Sequence, residues 1–129
     1  DWNGSVTPCV FVPYSPVNVN DIYAKGGSIN DIWANPFFAN IRSWQESFMR
    51  SKGNWLAPCL NRDHHSVLRE LIAKHEPEPV DESARQALLD PQYARGLEAY
   101  GERYQSITET LWEERYLRDG KQKRCVKKE

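Results

Sequence analysis

The spacing of apolar residues predicts a chain that opens in short strands and continues in helices. In the first stretch, DWNGSVTPCVFVPY, Ser5-Val6-Thr7 and Val10-Phe11-Val12 read as strand interrupted by Pro8. Proline cannot donate to a ladder, so this segment is expected at a sheet edge or a strand end. Asn3-Gly4 suits a type I′ turn, whose two central residues both need positive φ. Few residues precede Asn3, so the partner strand is expected upstream of Asp1 and only a β-hairpin remnant is present. Residues 15–27 read as a loop, with Gly26-Gly27 as its breaker.

From Ser28 onward the period lengthens. Ser28 can cap a short turn holding Ile29, Ile32 and Trp33. Asn35-Pro36 opens a stronger helix, with Asn at the N-cap and Pro in the first helical position. Its Phe37, Ile41, Trp44 and Phe48 share one face, and Gly53 marks its end. Residues 54–61, NWLAPCLN, read as a loop. Asp63 is expected to cap a helix running to about His75, with Val67, Leu68, Leu71 and Ile72 toward a core. Glu76-Pro77-Glu78-Pro79 is a stiff extended connector. Asp81 caps a short helix through Leu89, and Asp90-Pro91 repeats the cap-plus-proline device to start the longest helix. There Tyr93, Leu97, Tyr100, Tyr104, Ile107 and Leu111 recur at heptad-like steps, a stripe expected to face the core, with a coiled-coil partner as the other reading. Gly96 and Gly101 each weaken that helix by about 1 kcal/mol relative to Ala. The fold class is α+β, a short N-terminal β-hairpin remnant followed by a mostly helical domain.

Composition narrows the class. A chain of 129 residues has room for one compact domain. Its mean hydropathy of -0.74 is lean, but five Trp, six Tyr and four Phe supply large buried surfaces and argue against wholesale disorder. A formal charge of -1 implies no general nucleic-acid-binding surface. No apolar run approaches the roughly 18 residues of a membrane span, so no membrane partner is expected. Three cysteines, Cys9, Cys59 and Cys125, are too few and too scattered for a disulfide-stapled secreted fold, which points to a reducing, cytoplasmic setting. The chain starts at Asp1, and its only methionine is the internal Met49. It is therefore expected to be a piece of a longer protein, with a domain over residues 1–118 and a flexible basic tail over 119–129.

The candidate chemistry rests on sulfur. Cys9 in GSVTPC and Cys59 in APCLNRDHH each follow a proline, which fixes an extended approach and removes a competing donor. Two such presentations suit the ligation of a metal cluster, whereas the bland reading is a pair of inert, buried cysteines. His64 and His65 follow Cys59 at an expected helix N-terminus, where the dipole favours neutral, ligand-competent imidazole. They are further candidate ligands, or else a hydrogen-bonded pair at the helix start. A zinc site lacks the paired ligand spacing that structural zinc motifs show, and a cysteine nucleophile with a histidine base lacks any geometric support from adjacency alone. Cys125 lies among five basic residues, as part of a solvated tail with no metal role.

The stretch DWNGSVTPCVFVPYSPVNVNDIYAKGGSINDIWANPFFANIRSWQ resembles the C-terminal auxiliary-cluster region of radical S-adenosylmethionine proteins, the SPASM or twitch type. In that family a cysteine precedes a glycine that is followed, after four further residues, by a second cysteine, and Gly4 and Cys9 match the later half of the motif. The later GNWLAPCLNRDHHSVLRELIAKHEPEP and LWEERYL resemble one subgroup of these proteins. The resemblance implies an auxiliary [4Fe–4S] cluster held in part by Cys9 and Cys59, incomplete in this chain because such a cluster takes four thiolates. It also implies an upstream core domain of the same protein that binds S-adenosylmethionine through Cys-x3-Cys-x2-Cys, a signature absent from this chain. The implied role is electron transfer or positioning of a peptide or small-molecule substrate, with no complete active site here. The rival reading is a metal-free helical protein-interaction module that docks a partner through its aromatic stripe.

Overall fold

The computed structural model describes residues 1–51 and 53–117. The expected tail, with Cys125, lies outside the described residues. Two minimal antiparallel strand pairs and six helices make an α+β, mostly helical fold. β1 (Ser5–Val6) pairs with β3 (Val17–Asn18), Ser5 opposite Asn18 and Val6 opposite Val17. β2 (Tyr14–Ser15) pairs with β4 (Glu78–Pro79), a contact across about half the chain.

Four expectations for the first thirty residues give way to this arrangement. The partner that Ser5–Val6 takes in this structure lies downstream, at Val17–Asn18. Asn3-Gly4 does not form a type I′ turn: Gly4 has φ 89° but Asn3 is not among the positive-φ residues, and Gly4 N–H closes the turn on Asp1 O at 3.0 Å. The positive φ favours glycine there, and a Cβ would also displace the Asn18 and Asn20 side-chain ends, 2.5 Å away. Val10-Phe11-Val12 is not strand. Val12 N–H turns back to Cys9 O at 3.1 Å, leaving Val10 and Phe11 exposed and burying Val12. Finally, residues 15–27 are not a plain loop, because α1 (Val19–Ala24) forms inside them, capped by the Asn18 side chain on Asn20 N–H.

The next elements follow the sequence closely. Ser28 and Asp31 form a reciprocal capping box on α2 (Ile29–Trp33). Asn35 caps α3 (Pro36–Arg50), with Pro36 in its first turn, and buries Phe37, Phe38 and Ile41. The α4 helix (His65–His75) starts without a side-chain cap; the Asp63 carboxylate, expected there, is committed elsewhere, as described below. It ends at Glu76, in the left-handed region at φ 48°, and the extended connector after it supplies β4. Asp81 and Asp90 cap α5 (Glu82–Leu89) and α6 (Pro91–Trp112) as their spacing requires. A π-helical turn, Glu113–Leu117, continues α6.

The core joins the strands to α2, α3, α4 and α5 through Val12, Tyr14, Phe37, Leu68, Ile72 and Ala84. The long helix corrects the expected stripe. Ala94, Gly101, Thr108 and Trp112 are its buried positions, while Tyr93, Tyr100, Ile107 and Leu111 are exposed. The cause is close packing: a Cβ on Gly101 would lie 2.8 Å from Arg62 O and 2.9 Å from Asp63 O. Gly101 and Thr108 bring α6 against the 54–63 loop, Trp112 is buried against Trp55, and the exposed bulky residues turn outward.

Candidate cluster site

A cavity of about 550 Å³ opens between the Val6–Val12 turn, helices α2 and α3, and the loop before α4. Both Pro-Cys pairs line it: Pro8 and Cys9 on one segment, Pro58 and Cys59 on the other. The fold thus places along one cavity two cysteines that the sequence separates by the whole of α1, α2 and α3. Both are free; Cys9 is exposed and Cys59 half-buried.

The Cys59 segment is held by its backbone and by one carboxylate. Cys59 O accepts from Asp63 N–H at 2.8 Å and from His64 N–H at 3.2 Å, a tight turn just before α4. Arg62 N–H points at Cys59 Sγ, 3.4 Å away, the kind of amide donor that supports a ligating thiolate. The Asp63 side chain is fully buried and accepts Cys59 N–H at 2.9 Å. It also takes two donors from the Arg62 guanidinium, one of them Nη2 at 2.8 Å. That pairing keeps Arg62 protonated well above its usual range, chiefly through the hydrogen bond to Asp63. Arg62 also lies over the Tyr104 ring, 4.3 Å from its centroid, and Gln105 donates to Asp63 O. So α6 braces the loop that carries Cys59. Sequence reasoning assigned Asp63 to a helix cap, and no periodic signal marks an Arg-Asp pair that folds back on a cysteine.

The histidines are placed apart from the cavity lining. His64 Nε2–H donates to Ala57 O at 2.9 Å, and its ring meets Trp44 and Phe48 edge-on at 4.9 and 4.8 Å. His65 is buried, and its Nδ1–H donates to Asn61 O at 3.1 Å, which fixes the tautomer of the neutral ring. Its Nε2 is buried with no hydrogen-bond partner. Burial holds the His65 pKa below the ordinary histidine value, against the opposing effect of its hydrogen bond to Asn61 O. The fold therefore brings Cys9 and Cys59 to one cavity and brings neither histidine to it.

Two thiols in a shared cavity, with an amide aimed at one sulfur, fit part of the ligand set of an iron–sulfur cluster. Residues 1–63 match the SPASM family model, an iron–sulfur cluster-binding domain. Both cavity cysteines and the Asp63 carboxylate fall inside the matched segment. No curated protein and no solved structure matches the chain. Among the described residues no group of three or more His, Cys, Asp or Glu side chains is placed to hold a metal ion. The matched segment holds both cysteines of the described residues. No helix among them is long and apolar enough to cross a membrane.

Proposed function

We propose that this chain is the auxiliary-cluster portion of a radical S-adenosylmethionine enzyme, with Cys9 and Cys59 as two ligands of a [4Fe–4S] cluster. The observation that carries the reading is the convergence of the two Pro-Cys pairs on one cavity, within the segment that matches the SPASM model. A [4Fe–4S] cluster takes four thiolates, so the remaining ligands come from cysteines beyond the described residues, in an upstream core domain or its connection. The chain's own contribution is positional. The turn at Cys59 and the Asp63–Arg62 pair fix one sulfur, and the turn from Cys9 to Val12 presents the other. A bound cluster would supply one-electron chemistry, with a potential set by its charge, its exposure and the amides on its sulfurs. The catalytic radical core and its S-adenosylmethionine would lie outside this chain, which supports electron transfer or holds a peptide or small-molecule substrate in a cytoplasmic enzyme.

Anaerobic reconstitution with iron and sulfide, in the presence of a small thiol to fill open iron positions, tests the reading. Visible sulfur-to-iron charge-transfer absorption is expected in the wild type and absent in Cys9→Ser and Cys59→Ser. Equal iron uptake by wild type and both variants would refute it. The second reading, a metal-free interaction module, draws on the exposed Tyr93, Tyr100 and Ile107 of α6. A cluster-free chain that forms a monodisperse complex through that helix would favour it.

A further inference from the structure

The same cavity has a side that the cysteines do not use. Helices α2 and α3 contribute Ile29, Trp33, Phe38 and Ile41 to its lining, together with Arg42 and Gln45. Arg42 is the one charged side chain among the lining residues, and no carboxylate lines the cavity. Nor does any carboxylate among the described residues pair with it, in contrast to Arg50, Arg62 and Arg85. Its guanidinium is nonetheless fixed. Nη2 donates to Trp33 O at 2.7 Å, and the guanidinium carbon lies 3.9 Å from the centroid of the Trp33 ring. An arginine carries five N–H donors in a rigid fork, and this arrangement commits one of them to a carbonyl while holding the plane in place. The side-chain entropy that an arginine ordinarily loses on gripping an anion is thus largely spent before any ligand arrives.

We propose that this cavity binds an anionic ligand with an apolar body, an aromatic or branched aliphatic carboxylate. The carboxylate meets the free edge of Arg42, and the body lies on Ile29, Trp33 and Ile41. The volume suits such a molecule, since small-ligand pockets run roughly 300–1,000 Å³, mostly apolar with a few placed polar groups. Ile29 and Trp33 are 63% and 64% exposed, so the chain holds two large apolar side chains in water at the mouth of its own cavity. An apolar ligand would remove that surface from solvent. The charge argument selects the anion, because a lone fixed cation in an apolar wall favours a carboxylate through paired, charge-assisted hydrogen bonds. The inference goes beyond the cluster reading and shares its cavity, but it rests on α2 and α3 and stands without the thiols.

The test is titration of the whole chain with 3-phenylpropionate and with its neutral isostere 3-phenylpropionamide, followed by NMR of the Arg42 side chain and the Ile29 and Ile41 methyls. The wild type is expected to bind the carboxylate at least about tenfold more tightly than the amide. Arg42→Gln should weaken carboxylate binding by about the same factor and leave the amide unchanged. Arg42→Lys keeps the charge and loses the fork, so an intermediate preference is expected even if the Gln variant folds poorly. The titration uses the metal-free chain in the presence of a chelator, so its outcome does not depend on whether the thiols hold a cluster, which separates this inference from the cluster reading. Equal affinity for acid and amide would overturn it, as would binding that leaves the Ile29 and Ile41 signals unmoved. It is also overturned if the Gln variant loses only thiol-dependent metal binding, since Arg42 would then be a counter-charge to the cysteines.

Discussion

Replacing each of the two glycines of α6 by alanine should move stability in opposite directions. In an ordinary helix interior either change gains about 1 kcal/mol, because glycine gives up more backbone freedom on folding. Gly96 has no atom within 4 Å of a built Cβ, so Gly96→Ala should realise that gain, about 0.8–1 kcal/mol. At Gly101 the new methyl would meet Arg62 O at 2.8 Å, Asp63 O at 2.9 Å and Asp63 C at 3.1 Å. These are backbone atoms in a hydrogen-bonded turn, so no side-chain rotation relieves the contact. Forcing a methylene-sized group into a packed seam costs about 1–3 kcal/mol, which exceeds or cancels the helix gain. The net expectation for Gly101→Ala is a loss of about 0–2 kcal/mol, and a separation of about 1–3 kcal/mol between the two variants. Urea denaturation followed by circular dichroism measures both. Because Gly101 rests on the turn that carries Cys59, alkylation of that thiol should also quicken in Gly101→Ala and stay unchanged in Gly96→Ala. If the two variants are equally stabilised, the close approach of α6 to the loop is wrong, and with it the bracing of Cys59.

Three further outcomes follow from particular contacts. Asp63→Asn keeps the shape of a buried side chain but loses the charge that accepts Cys59 N–H and the Arg62 fork; a loss of about 2 kcal/mol is expected in urea, limited by the partial exposure of Arg62, and a change under about 0.5 kcal/mol would contradict it. His65 has its pKa lowered in the fold, so its contribution is fully present above about pH 6.5 and is lost as pH falls toward the folded value; His65→Gln should flatten the fall in stability below about pH 6.5, and an unchanged slope would count against burial as its cause. Ile107 is 66% exposed, so Ile107→Gln should alter the urea midpoint by the equivalent of less than about 0.5 kcal/mol, whereas a loss above about 2 kcal/mol would restore it to the core.

The helices were legible where a cap and a period coincided. Asn35-Pro36, Asp81 and Asp90-Pro91 announce α3, α5 and α6 because each supplies an acceptor for orphan N–H groups beside a suitable first turn. The first thirty residues were harder to read because their structure rests on pairings that local pattern does not encode. β1 finds Val17–Asn18 and β2 finds Glu78–Pro79, each across a segment with its own structure. The α6 stripe was misphased for a different reason. Periodicity of bulky residues usually reports burial, but here the close approach is at Gly101, whose missing side chain permits it, with Thr108 accepting from Asn54 of the same loop. At the site, the Pro-Cys pairs marked both cysteines. Their convergence was not legible, since it depends on how α2 and α3 fold back between them, and neither was Arg42, an ordinary helical arginine until Trp33 fixes it over the cavity.

Cadmium titration of the chain under anaerobic, reducing conditions bears most directly on the claim that Cys9 and Cys59 form one ligand pair. A thiophilic ion needs no sulfide and reports each bound thiolate by sulfur-to-metal charge transfer in the near ultraviolet. One ion per chain is expected, with the absorbance of two thiolates, and Cys125→Ser should leave it unchanged. Cys9→Ser and Cys59→Ser should each weaken binding by at least about 100-fold, since even supporting groups around a metal are worth about 10–100-fold. Binding by either variant at wild-type strength, or loss of the signal in Cys125→Ser alone, would contradict the shared site.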